Sequence, residues 1–188
     1  MTFSIWITLI FLIYTIVWIQ IPGMMFASFL LPRRLKLATR LLSGFFIGFI
    51  YNAILYYLES LFSINGLIRI AGPITAVVAI FIYLKKGHPS FYNADEKFRW
   101  TGVIIFGFIY LASFFNFQLK YMGALSGETI QVYHDYLFHT GNIVSLSRSF
   151  PNTDLRVDGL MFYYHYFYEL VFAMCKHIFG IDAFRLYM

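Results

Sequence analysis

Charge is scarce in this 188-residue chain. Asp, Glu, Lys and Arg make up 12% of it, against about a quarter of an ordinary soluble domain. With 60% hydrophobic and 22% aromatic residues, that deficit argues against a soluble domain with a charged surface and for a polytopic membrane protein. Cysteine is nearly absent. The single Cys175 can form no intrachain disulfide, and its apolar surroundings read as those of a small buried hydrophobe. A Gly-rich phosphate loop, a Cys-x-x-Cys pair and a His-Glu-x-x-His zinc signature are all missing, so the common short motifs for nucleotide, redox and zinc chemistry give no lead. Asn-x-Ser/Thr acceptors are also absent. The first residues lack both a basic run and a small-residue cleavage site, so the apolar start reads as a retained span. The net charge of +5 comes from short basic clusters beside apolar stretches. That is a topology pattern, and it sets nucleic acid aside.

What is present reads as a series of apolar spans. Phe3 to Leu31 is the first, with Trp6 and Trp18 along it and Pro22-Gly23 expected to kink it. Arg33, Arg34, Lys36 and Arg40 follow with no acid among them. Leu41 to Leu58 is the second, long enough at about 1.5 Å per residue to reach about 27 Å. Glu59 to Asn65 reads as a tight turn ending on Asn65-Gly66. Ile64 to Leu84 is the third span. Its Arg69 reads as snorkelling to the interface with Glu59 as partner. A polar connection, Lys85 to Arg99, leads to a fourth span, Trp100 to Phe117. The polar segment 118–158 and a fifth span, Gly159 to Gly180, follow, and Ile181 to Met188 begins a further element.

The expected fold class is therefore all-α: a polytopic membrane protein with about five transmembrane helices and one long extracytoplasmic loop containing an amphipathic helix. Residues 1–99 form a three-span region and residues 100–188 a second region. The basic connections after spans one and three belong inside by the positive-inside rule. The expected location is a multi-pass plasma membrane protein with its N-terminus and loop 118–158 outside.

The polar segment and the start of the fifth span hold three of the five histidines: His134, His139 and His165. On a helix, Glu128, Gln131, Asp135, His139 and Asn142 share one face. Such a helix would lie on the outer membrane surface, apolar side down, with a break near Gly141. Asp135 and His139 at i, i+4 suit a general base and its neighbour, or a share in a divalent cation site. The plain alternative is a surface ion pair worth a few tenths of a kcal/mol, and spacing alone favours it. Arg148 and Arg156 suit phosphate or pairing with Asp154 and Asp158. His165 and Glu169, also i, i+4, should face protein or water and line a cavity under the loop. Tyr163, Tyr164, Tyr166 and Tyr168 suit an interfacial belt.

The order of these pieces carries a resemblance. A span is followed by an outer loop with an acidic residue in a short helix, then Leu-Ser-Arg-Ser-Phe-Pro ending at Pro151. Tyr-Tyr-His-Tyr-Phe-Tyr, from Tyr163 to Tyr168, then enters the next span, and Phe-Gly-Ile-Asp ending at Asp182 closes it. This resembles the first outer loop and flanking helices of membrane-embedded glycosyltransferases of the GT-C class, including protein-mannosyltransferase-like and lipid A aminoarabinose-transferase-like enzymes. It covers Trp100 to Met188.

The resemblance implies inverting sugar transfer from a polyprenyl-phosphate donor, with Asp135 as catalytic base and His134 and His139 beside it. Where many members carry two neighbouring acids, this chain has His134 next to Asp135. Arg148 or Arg156 would meet the lipid phosphate, and His165 with Glu169 would line the substrate site. Such enzymes complete the donor site with later spans, so the chain would be an N-terminal fragment holding the acceptor side. Two other classes stay open: a transporter or channel subunit using His165, Glu169 and Arg69 as an intramembrane path, and a non-catalytic assembly protein.

Overall fold

The computed structural model of the chain describes residues 2–32, 37–85, 108, 134–154, 160–161 and 166–187. These are helical apart from short connections, and no strand longer than an isolated bridge occurs among them. The chain divides into two compact units, Met1–Asn93 with Phe138–Met188, and Ala94–Leu137. The expected fourth span lies outside the described residues except for Phe108, which is helical.

Three helical stretches are long and apolar enough to cross a membrane: Trp6–Leu30, Ala38–Phe62 and Leu67–Lys85. They match the first three expected spans. Burial inside the protein reaches no more than 28% of any of these windows, and Trp6, Ile50, Ile54, Ile74 and Val77 are all exposed. Apolar surface on that scale needs a non-aqueous solvent, which a bilayer supplies.

The first stretch is composite: α1 (Thr2–Tyr14), a π-helical turn (Thr15–Gln20) and α2 (Ile21–Leu30). The expected Pro22 kink appears as this wide turn. Proline has no N–H and its ring collides with the carbonyl four residues back, here Trp18. The π turn makes room, and the freed Trp18 carbonyl accepts the Asn52 amide, which also donates to the Gly48 carbonyl at 2.8 Å.

α3 (Leu37–Phe62) packs against α2 at backbone distance. A Cβ added at Gly23 would lie 1.8 Å from the Gly44 oxygen, and one at Gly48 would lie 1.9 Å from the Ile19 oxygen. The pattern Gly44-x-x-x-Gly48 is the small-residue seam by which membrane helices approach without a hydrophobic driving force. Trp18 extends the contact to α4 (Leu67–Lys85): its indole donates to the Ile68 carbonyl at 3.0 Å and covers Gly72.

α3 continues through the segment read as a tight turn and ends at Phe62. The reversal is made by Ser63 and Gly66, both with positive φ.

The second layer is α5 (His134–Leu146), α6 (Phe167–Phe179) and the short α7 (Ala183–Tyr187). Gly141 does not break α5, which runs on to Leu146. α6 differs most from its expected span. Leu160 and Met161 are not helical: Met161 bridges to Thr153, and the Asp154 amide donates to the Leu160 carbonyl at 2.8 Å. Tyr166 leaves helical geometry at φ −96°, ψ 23°. The described helix starts at Phe167, and its 13 residues reach about 20 Å, short of a hydrocarbon core of about 30 Å. The Phe167 ring rests 4.1 Å from that of Phe49, and His177 meets Glu59. Contacts at equal advances along both helices make α6 parallel to α3, whereas an out-to-in fifth span would oppose it.

Candidate functional site

Glu169 is the most deeply buried acid in the described structure, with 0% of its surface exposed. It sits in the first turn of α6, where the helix dipole favours a carboxylate. One oxygen, Oε1, takes both of its hydrogen bonds: His139 Nδ1 at 2.6 Å and the Asn142 amide at 3.0 Å. Oε2 is buried without a partner. His139 and Asn142 are three apart on α5, so one face of that helix serves the acid. The Tyr168 hydroxyl also contacts His139 Nδ1.

Glu169 is held by His139, thirty residues earlier; its expected i, i+4 neighbour, His165, lies outside the described residues. The geometry corrects one expectation: the polar face of α5 is not wholly turned to solvent. Asn142 is 2% exposed and Ile143 and Leu146 are buried beside it, because a buried carboxylate needs donors.

The remaining site residues fall as follows. Asp135 and His134 lie on α5, Asp135 one turn before His139, and their side chains are outside the described residues. Arg148 is exposed, in a turn closed by its own amide to the Ser145 carbonyl at 3.0 Å. Arg156 and His165 fall outside the described residues. No group of three His, Cys, Asp or Glu that could hold a metal occurs among the described residues.

A second carboxylate–imidazole pair was not expected. Glu59 is 6% exposed. It accepts the Gly66 amide at 3.1 Å and the Ile68 amide at 2.8 Å, so it caps α4 from the end of α3. His177 Nε2 meets the same carboxylate at 2.7 Å, and its Nδ1 lies 3.1 Å from the Ser147 carbonyl. Arg69 does not pair with Glu59. Its guanidinium donates to the His177 carbonyl at 2.7 Å, because the two amides and the imidazole already occupy the acid. This cluster joins α3, α4, the turn after α5 and α6. Its signal in the sequence was an acid placed seven and nine residues before the amides it caps, a spacing that becomes meaningful only once the reversal at Ser63 to Gly66 is known.

No family model, no curated protein and no solved structure matches this chain.

Proposed function

We propose that this chain is the acceptor-side part of a membrane-embedded glycosyltransferase of GT-C type, working on a polyprenyl-phosphate-linked sugar. One observation carries the reading: a carboxylate with no exposed surface holds an imidazole on the helix that bears Asp135, beside a bundle of bilayer-length helices. An acid and an imidazole one turn apart, backed by a buried acid, suit proton removal from an alcohol. The acceptor O–H proton passes to Asp135 as its oxygen bonds the anomeric carbon. The bond from that carbon to phosphate breaks, and the lipid phosphate leaves with the electron pair. Exposed Arg148 offsets the charge that develops there, with Arg156 as the second cation.

The test is transfer of labelled sugar from polyprenyl-phosphate monosaccharides to membrane acceptors, using the longest reading frame that contains this chain. Asp135→Asn should abolish transfer with the protein still inserted. Transfer at the unmodified rate would remove Asp135 as the base. A side test addresses topology in the plasma membrane. Cys175 is buried, so in a Cys175→Ala background a cysteine placed at Ser126 should react with a membrane-impermeant maleimide added to intact cells. Labelling only after the membrane is opened would reverse the orientation.

A further inference from the structure

His139 and Glu169 meet through a single nitrogen. Nδ1 is 2.6 Å from Glu169 Oε1, and the same oxygen accepts the Asn142 amide. A carboxylate oxygen only accepts, so a ring nitrogen that bonds to it carries the proton; the Tyr168 hydroxyl meets the same nitrogen and competes for that position. Imidazole has two nitrogens, and a fixed bond at one decides which of them takes up and releases the exchangeable proton. The carboxylate also holds the ring plane, since α6 seats Glu169 among buried Leu170, Ala173 and Met174.

We infer that Glu169 is a positioning residue that keeps a proton on His139 Nδ1, so that proton exchange at the site passes through Nε2. This deepens the transferase reading and rests on it only for the identity of the hydroxyl that is deprotonated. Asn142 aids by fixing the carboxylate. Among the described residues, Glu169 and Tyr168 on α6 meet the imidazole, and Asn142 on its own helix donates to the same carboxylate. His139 becomes the second member of a relay whose buried end is Glu169.

The experiment is nitrogen NMR of histidine-labelled protein in bilayers, with His139 assigned by its loss in His139→Asn. In the neutral ring the His139 Nδ1 signal should be that of a protonated nitrogen and the Nε2 signal that of a bare one. Glu169→Gln retains an acceptor oxygen and should retain this pattern. Glu169→Met removes the acceptor and should let Nδ1 lose its proton. Carbethoxylation of His139 at Nε2 should then slow several-fold. Loss of the proton from Nδ1 in the unmodified protein overturns the assignment, and so does an identical pattern in Glu169→Met. Should Glu169→Met fail to fold, the unmodified protein and Glu169→Gln still decide the matter. Sugar transfer is read separately, so failure of the relay and failure of the transferase reading give different results.

Discussion

Gly48→Leu is expected to break the association of the first two spans. Even the first carbon of a side chain would sit 1.9 Å from the Ile19 carbonyl oxygen and 2.8 Å from its carbon, and neither atom can rotate away because both are backbone. The helices must separate along the seam, which also carries Gly23 against Gly44. Overpacking a core ordinarily costs about 1–3 kcal/mol, and a clash with main chain belongs at or above the top of that range. Separation would also take the Trp18 carbonyl from the Asn52 amide, at the point where Pro22 offers it no N–H. Denaturation of the protein in detergent should show a much lower midpoint for Gly48→Leu and a smaller drop for Gly48→Ala. Val77→Leu, at a site 66% exposed, should be silent. A midpoint for Gly48→Leu equal to the parent's would mean the two helices do not touch at this seam.

The second large loss is expected from Glu59→Leu. A single interhelical hydrogen bond within a bilayer averages about 0.6 kcal/mol, so the three bonds to Glu59 taken as simple contacts would predict a mild effect. Truncation does something else. It strands the Gly66 and Ile68 amides at the start of α4 and leaves His177 facing an apolar side chain. Leaving a buried donor unsatisfied costs about 1–3 kcal/mol each, so a loss of several kcal/mol is expected here. His177→Leu should also destabilise, but less, because Glu59 keeps its two amides. Double-mutant analysis of Glu59→Leu with His177→Leu should give strongly non-additive losses, as residues sharing one network do. Additive losses would show that the two side chains are not coupled.

Both predictions concern places where sequence reading fell short, for different reasons. Gly44 and Gly48 stand four apart in the sequence, but that spacing carries no meaning until the helix lying against it is known. The chain offers several glycines on apolar stretches, and only packing identifies Gly23 as the one opposite. Glu59 was noticed and given the nearest cation, Arg69, as its partner. The acid instead binds the amides of the reversal that begins four residues after it, and the imidazole comes from His177, far along the chain. Glu169 repeats the lesson. Periodicity set it beside His165, four residues back, whereas the imidazole that holds it is that of His139, thirty residues back.

The all-helical class and the first three spans followed from composition and run length alone. Burying a backbone in hydrocarbon requires every N–H and C=O to be bonded within its own segment, so a long apolar run dictates its own local structure without help from neighbours. The wide turn before Pro22 has the same local character, since a proline acts on the carbonyl four residues back whatever surrounds it. Partner choice is another matter. Which imidazole meets Glu169, which one meets Glu59, and how α6 lies along α3 depend on contacts between residues thirty to more than a hundred positions apart. Those pairings are selected by the cost of burying a carboxylate without donors, and that cost is set only when the helices close around it.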